Sequence, residues 1–496
     1  MKRSHYRERA LIWRKPKPKG EVYSSIRAAG SGTTNSEHSL VNVQQNSQFR
    51  EYELRVKQSF DRIRPVVELI ESEQHKANFI VWAQETLSNE LGIELSRCQI
   101  EDICLYGFNR KQLYSLCVFE QFKNFSNEFF NNDPLLGKDK DDALEQFMRS
   151  GFHAVGVAPC ADGRLAHFVS YVLRLPYSVV RRKSHAGSTF DVSESVRNWV
   201  FVEHSRFRNR VPNSSETPTQ YLKIAVYHYS KVDPAHQGCA AHGSNDAQAA
   251  EAALNQLNDF REAIENRFGC GSTIATLLIG VNTDDDSMRI HVPNLAGEIS
   301  LQAFVETDVL YKATQNNSPE QARTRILEAI AERDVAYRPI LDRYGMPRLI
   351  AMLIERNFSQ LAYVNQYENG QYDDIGHAER FIGLGNGFEE VQLRNLTYYS
   401  YLDTLEEGMN DVNVGIKIFK KLNLVDNWPI PIVIRCDYDG RVPGSRERAI
   451  TKAHRIESAV KERYRELTEQ NDLMVLCTLR DTIGDRPAEC LASEEV

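Results

Sequence analysis

The sequence predicts an α/β chain of three units behind a basic amino-terminal tail, and three observations carry that prediction. Residues 50–148 repeat their apolar side chains at helical spacing. Residues 149–383 alternate strand and helix signals, the pattern of a domain built on a parallel sheet. From 384 to 496 the plan starts again: Ile430 to Arg441 repeats the layout of Phe152 to Arg164, an apolar strand, a cysteine and then Asp-Gly-Arg. The expected architecture is a helical domain, an α/β domain and a degenerate second copy of that α/β domain.

A chain of 496 residues has room for about three domains at roughly 150 residues each. The formal net charge of -8 argues against nucleic acid as a partner of the whole protein. No long apolar run is present, so no membrane span is expected. The basic start is not followed by the apolar segment of a secretory signal. Nine cysteines are scattered without small-domain spacing, which predicts reduced thiols in an intracellular compartment, with one or two metal-ligating exceptions.

Residues 1–49 are expected to form a disordered tail. Basic residues from Lys2 to Arg27 outnumber the acids, and Pro16, Pro18 and the Gly30-Ser-Gly stretch discourage regular structure. Tyr6, Leu11, Ile12 and Trp13 give that tail apolar points for folding against an acidic partner. In 50–148, Phe60, Ile63, Val67 and Ile70 recur at helical spacing, as do Phe79, Val81, Trp82 and Leu87. Cys98, Cys104 and Cys117 have no histidine at ligand spacing and read as structural thiols.

The domain 149–383 opens on a short strand ended by Pro159. A helix through Leu165, Phe168, Tyr171, Val172 and Leu175 is expected next, then a strand at Tyr177–Val180 and the basic run Arg181, Arg182, Lys183, Ser184, His185. Tyr221–Tyr229 is a strong strand with Ile224, Val226 and His228 on one face. Gly238 and Cys239 precede a long Ala-rich helix starting near Asn245 and Asp246. Thr276–Val281 and Met288–Val292 predict a hairpin across the acidic turn Asp284 to Asp286. In 384–496 the strand at Ile430 is followed by a helix through Ala449, Ala453, Ile456 and Val460, and by the strand Leu473–Leu479. No histidine strand or Gly-Cys partner follows, so this copy is expected to lack a metal.

Cys160-Ala-Asp162-Gly-Arg164 brings a thiol, a carboxylate and a guanidinium to the carboxyl end of a strand, a set suited to zinc hydrolytic chemistry. The thiolate binds metal, Asp162 sits beside its open position and Arg164 orients Asp162. A catalytic zinc needs three protein ligands, and Cys160, His228 and Cys239 are the candidates. His236 competes with His228, because His236-x-x-Cys239 is itself metal-like spacing; His228 is preferred because it ends a strand at the site edge of a parallel sheet. His242 would lie past Cys239.

Cys160-Ala-Asp162-Gly-Arg164 resembles the Cys-Ala-Asp-Ser-Arg signature of the beta-type carbonic anhydrases. Val179 to Gly187 looks like an expanded form of their Val-Ile-Arg-Asn-Ala-Gly turn, and Ala225 to His228 followed by Gly238-Cys239 like their Gly-His-x-x-Cys-Gly with a longer gap. The long gap, the preceding helical segment and the decayed second copy are similar to the carboxysomal carbonic anhydrases, the divergent epsilon or beta-like subclass. That resemblance implies a beta-carbonic-anhydrase-like catalytic domain, one Zn2+ per chain, and interconversion of carbon dioxide and bicarbonate for Rubisco inside a carboxysome. It also implies a homodimer or higher homo-oligomer, and an amino-terminal arm that docks to Rubisco or shell proteins. It favours His228 as the ligand, since the subclass places its histidine eleven residues before the second cysteine.

Under this reading Arg164 keeps Asp162 ionised and off the metal, so the pair acts as a gate. Two thiolates cancel the zinc charge, so activity is expected to rise towards alkaline pH. His377 is the candidate proton shuttle, with an ordinary surface histidine as the alternative. Arg181, Arg182, Lys183 and His185 are a candidate anion or effector site for bicarbonate or a sugar bisphosphate, with a charged turn or subunit contact as the alternative. Two other function classes fit the same residues: a carbon disulfide or carbonyl sulfide hydrolase, and a non-catalytic scaffold tying cargo to a shell.

Overall fold

The computed structural model describes residues 38–491 apart from 132–139, 177–178, 210–219, 342–344, 389, 391, 403–404 and 484–487. Residues 1–37 of the expected tail lie outside the described residues.

The helical region starts before residue 50. Helix Val43–Asp61 is capped by Asn42, whose side chain accepts from Gln45 N, and its buried Asn46 and Phe49 place residues 43–49 in the fold rather than in a tail. Helices Ile63–Ser72, Phe79–Leu91, Arg97–Cys104 and Arg110–Asn131 follow. Ser96 and Gln99 form a capping box at the fourth, satisfying two backbone donors that its first turn would leave unpaired. These helices do not close a core of their own. Phe60, Val67, Leu113 and Phe122 are buried together with Phe381, Phe388, Tyr399 and Val433 of the carboxyl-terminal half. Each such phenylalanine contributes ~1.5–3 kcal/mol of burial, so the helical region is held by the far end of the chain.

The first sheet has the order β2-β1-β3-β4-β5-β6. Its strands are β1 Phe152–Pro159, β2 Arg181–Arg182, β3 Gln220–Tyr229, β4 Ile274–Asn282, β5 Met288–His291 and β6 Phe304–Glu306. The first four strands in that order run parallel and β5 and β6 antiparallel, so the hairpin expected across Asp284 to Asp286 is the β4–β5 pair. The long Ala-rich helix is Asp246–Phe268, capped by Asn245.

Two local expectations are corrected. The stretch after Cys160 is not an α-helix but a 3-10 turn at Gly163–Leu165 followed by a π-turn at Phe168–Val172. Every residue of this stretch is buried, so it packs on all sides instead of turning one apolar face inwards. Tyr177 and Ser178 of the strand expected at Tyr177–Val180 lie outside the described residues; Val179 and Val180 are not in a strand, and the pairing with β1 is made by Arg181 and Arg182.

The second sheet has the order β8-β7-β9-β10-β11. Its strands are β7 Phe381–Gly385, β8 Thr397–Tyr401, β9 Ile430–Tyr438, β10 Leu473–Asp481 and β11 Glu489–Cys490. This sheet begins at Phe381, ahead of the boundary expected at 384. β8, β7, β9 and β10 are parallel and β11 antiparallel, the same order and directions as β2-β1-β3-β4-β5. That correspondence moves the sequence echo. Cys436 lies on β9, which holds the place of β3, whereas the place of β1 is taken by β7. Gly385 at the end of β7 has φ +130, and a side chain there would run into the Arg435 carbonyl.

Candidate metal centre

β1 and β3 are parallel neighbours, with Pro159 opposite Val226. Cys160, one residue past β1, donates its N–H to Val226 O at 3.3 Å and so lies beside the His228 end of β3. This is the carboxyl edge of the sheet, where open α/β folds place their sites. Cys239 arrives on the loop after β3, and the acidic turn of the hairpin fixes that loop. Asp284 accepts from Ser230 Oγ at 2.8 Å and from the N–H groups of Lys231 and Val232 at 2.7 and 2.9 Å.

Cys160, His228 and Cys239 are buried, and their ligand atoms all lie within 4.8 Å of one another. The two Sγ atoms are 3.9 Å apart. Two Zn–S bonds of about 2.3 Å at the tetrahedral angle put sulfurs about 3.8 Å apart, so the pair has the span of a zinc dithiolate. Neither ring nitrogen of His228 makes a hydrogen bond, although the ring is fully buried. An unpaired buried imidazole is costly, and a cation among the three groups removes that cost. The residues therefore fit a metal.

The thiols are already unequal. The Cys160 hydrogen bond pulls the Cys239 pKa below its ordinary value against burial, helped by the N–H groups of Ala241 and His242. The same bond, then burial, pushes the Cys160 thiol well up.

Asp162 and Arg164 are locked together. Asp162 Oδ1 accepts from Arg164 N and Nε, each at 2.9 Å, and Oδ2 accepts from Nη2 at 2.7 Å. Arg164 is fully buried and also donates to Gln237 O at 2.7 Å and Ile375 O at 3.2 Å, tying the Cys239 loop to the segment before β7. Burial opposes the Asp162 charge, but Arg164, His377 and His228 outweigh it and hold the carboxyl well below its ordinary range. Asp162 Oδ2 is 3.4 Å from His228 Nε2, so an ionised acceptor faces the three ligands.

His236 is not part of this cluster. Its side chain is 77% exposed and its Nδ1 pairs with Asp233 at 2.8 Å. His242 Nε2 faces Gly187 O at 3.4 Å. His377 does reach the site: Nε2 lies 3.9 Å from Asp162 Oδ2, Nδ1 lies 2.9 Å from Glu379 Oε1, and the side chain is 21% exposed. Glu379, Gln237 and the backbone of Ile375 are the contributors that sequence reasoning missed. Gly163 was the one signal, standing where the beta-type signature has serine.

The basic run is engaged from within the chain. Arg182 Nη1 donates to Ala166 O at 2.5 Å and Nε to Ser184 Oγ at 2.9 Å, Lys183 pairs with Glu194, and His185 Nδ1 lies 3.0 Å from Asp411 Oδ2. The carboxyl-terminal half also backs the Cys160–Arg164 turn directly. Tyr399 N donates to Ala161 O at 3.0 Å and Asn395 N to Gly163 O at 2.8 Å.

Comparison with known proteins covers the chain almost end to end. Residues 38–130, 143–377 and 378–495 match, in order, the family models described as the N-terminal, catalytic and C-terminal domains of Carboxysome Shell Carbonic Anhydrase. A carboxysome shell carbonic anhydrase of Hydrogenovibrio crunogenus is 53% identical over 99% of this chain and 97% of that protein. One of Parasynechococcus marenigrum is 46% identical over 93% of this chain and 79% of that protein, and one of Halothiobacillus neapolitanus is 43% identical over 92% and 90%. With three successive domains matched and relatives alike along most of their length, the chain belongs to the carboxysome shell carbonic anhydrase family.

Proposed function

We propose that this protein is a zinc carbonic anhydrase that interconverts carbon dioxide and bicarbonate in the carboxysome, with Cys160, His228 and Cys239 holding one Zn2+. Family membership supports the activity and the location. The observation that carries the metal is the buried Cys160–Cys239 pair at zinc-dithiolate span beside His228, whose ring nitrogens make no hydrogen bond. Zinc would supply Lewis acidity, making water nucleophilic near neutral pH. The chain supplies the rest. Asp162 stays ionised and acceptor-only, so it orients the attacking water by taking a hydrogen bond from it. Arg164 holds both Asp162 oxygens and keeps the carboxylate from swinging onto the metal. His377, facing Asp162 and partly open to solvent, takes the proton away.

The test is rapid-mixing carbon dioxide hydration with zinc content measured, for wild type and Cys160→Ser. Zinc-loaded wild type is expected to hydrate carbon dioxide, and Cys160→Ser to lose zinc and activity together. Zinc-loaded protein inactive on carbon dioxide, but active on carbon disulfide or carbonyl sulfide, overturns the substrate; inactivity on all three leaves a scaffold.

The matching strand orders support an ancient duplication in which β7–β11 and their helices are the second copy; the group of potential ligands there is a different one, His454, Glu457 and Cys477. A phosphorylated effector at Arg181–His185 would meet Arg182 Nη2 and His185 Nε2, which make no hydrogen bond, beside the groups already paired with Ala166 O, Glu194 and Asp411. Calorimetry with a sugar bisphosphate tests that version, and no heat removes it. Docking of Rubisco or shell proteins by residues 1–37 is tested by deleting them. Charge-driven docking should also weaken steeply with salt. Sedimentation checks the expected dimer or higher assembly.

A further inference from the structure

Glu379 lies just before β7, yet its buried side chain reaches back to the Cys160–Arg164 turn. Its Oε1 accepts from His377 Nδ1 at 2.9 Å and from Gly163 N at 3.1 Å. The space it fills is the space a side chain at 163 would need. A Cβ on Gly163 would stand 2.6 Å from Glu379 Oε1 and 2.8 Å from Cδ, with Cγ closer still. Serine at 163 and a carboxylate in this position exclude each other, and this chain has glycine and the carboxylate.

We infer that Glu379 is a positioning residue for proton transfer, holding His377 as the proton acceptor of the hydration reaction, and that residue 163 is glycine to admit it. The inference rests on the carbonic anhydrase reading above.

The geometry sets the roles. With Nδ1–H donated to Glu379, the lone pair of His377 is on Nε2, which faces Asp162 Oδ2 at 3.9 Å. That gap is within the reach of transfer through one water. In hydration a C–O bond forms, one O–H bond of water breaks, and the freed proton moves to His377 Nε2 and then to buffer. Nothing is oxidised or reduced. Burial disfavours the protonated ring, but the charges of Glu379 and Asp162 outweigh it and raise the His377 pKa.

The carboxylate is held in place by the carboxyl-terminal half. Arg394 Nη2 donates to Asp374 O at 2.9 Å, Asn395 Nδ2 to Gly376 O at 3.1 Å, and Arg380 N to Leu396 O at 2.9 Å. The second sheet thereby carries the proton-transfer machinery to a metal held by the first.

Zinc-loaded, full-length wild type, Glu379→Ala, Glu379→Gln, His377→Ala and the double variant Glu379→Ala/His377→Ala are compared in stopped-flow carbon dioxide hydration over a range of buffer concentrations. At low buffer, Glu379→Ala is expected to lower kcat on the order of tenfold or more, with kcat/KM and zinc content unchanged. Added imidazole should restore kcat in both single alanine variants, and the double variant should be no worse than His377→Ala. Glu379→Gln preserves shape and the accepting oxygen, and should fall between wild type and Glu379→Ala. If His377→Ala loses kcat while Glu379→Ala does not, the positioning inference is wrong and the shuttle stands. If His377→Ala keeps full kcat at low buffer, the shuttle and the inference both fail. Loss of zinc or of kcat/KM in Glu379→Gln would reduce Glu379 to a packing role and overturn the inference. No hydration in wild type would sink the underlying function instead.

Discussion

Gly163→Ser restores the beta-type signature at the Cys160–Arg164 turn, and here it should damage the enzyme. The new Cβ would lie 2.6 Å from Glu379 Oε1 and 2.8 Å from its Cδ, where carbon contacts ordinarily need about 3.5–4.0 Å. Glu379 must therefore retreat by about 1 Å, and its fully buried side chain has little room to do so. Gly163 is not among the glycines in the left-handed region, so the penalty comes from space and not from backbone strain. Overpacking of this kind costs about 1–3 kcal/mol. Losing the Gly163 N–H bond to a carboxylate adds up to about 1.5–3 kcal/mol. At roughly 2–4 °C per kcal/mol for a domain of this size, the zinc-loaded protein should melt about 5–24 °C lower in a calorimetric scan. Low-buffer kcat should fall with it, because His377 loses its holder. The double variant Gly163→Ser/Glu379→Ala should regain stability to the level of Glu379→Ala alone without regaining proton transfer. A Gly163→Ser protein with wild-type melting and wild-type kcat would refute the steric argument.

Four further outcomes follow from the same geometry. Cys160→Ser, or chelation of the wild type, should remove zinc and lower the melting temperature; a ligand at a thousand times its Kd stabilises by about 4 kcal/mol, and metal analysis beside calorimetry reads both effects. For pH, hydration needs His377 unprotonated, and its pKa is raised, so kcat should climb with pH through a midpoint above the usual histidine range. Glu379→Gln removes a charge that raises that pKa and should move the midpoint down in a stopped-flow pH profile. Arg435→Met strands Glu390, which accepts from Arg435 Nη1 at 2.8 and 2.6 Å in the interior of the second half; a loss of about 3–5 kcal/mol is expected in chemical denaturation. Arg164→Ala should cost a similar ~3–5 kcal/mol by stranding buried Asp162, whereas Arg441→Ala should leave the same denaturation curve unchanged.

The periodic parts of the fold were legible from the sequence, and the parts shaped by contacts across hundreds of residues were not. The strands around Cys160 and His228, the β4–β5 hairpin and the helix after Asn245 follow from local alternation, turn residues and caps. The run Leu165 to Leu175 misled because it is apolar on every side, and a fully buried turn has no periodicity to read. Phe49 appeared to belong to a tail because its partners, among them Tyr171, lie more than a hundred residues away. At the candidate site, Cys160 and His228 stand out by residue type and by their place at strand ends, and Cys239 by its place before the long helix. Glu379 was not, since a single glutamate before a strand carries no signal until the close approach to Gly163 is seen. The basic run reads as a candidate anion site because charges are visible in a sequence; the partners of Arg182, Lys183 and His185, namely Ala166 O, Glu194 and Asp411, are not.

The two Asp-Gly-Arg turns separate what the motif does locally from what its surroundings make of it. At Asp439–Arg441 the backbone N–H and Nε of the arginine reach Oδ1 at 3.0 Å and Nη2 reaches Oδ2 at 2.7 Å. At Asp162–Arg164 the same three bonds measure 2.9, 2.9 and 2.7 Å. The pair is thus a property of the short sequence, and in the second half it forms after β9, the strand that corresponds to β3. The Arg441 side chain is 62% exposed, where screening leaves such a pair little energetic weight. Arg164 is fully buried, its remaining donors clamp the Gln237 and Ile375 carbonyls, and the Asp162 oxygen it holds faces His228. The same turn is a surface ion pair in one half and a buried pair beside the candidate metal centre in the other. Burial, the distant His228 and Cys239 and a carboxylate reaching back from the second half make that difference, so the surroundings and not the five residues themselves set what the turn can do.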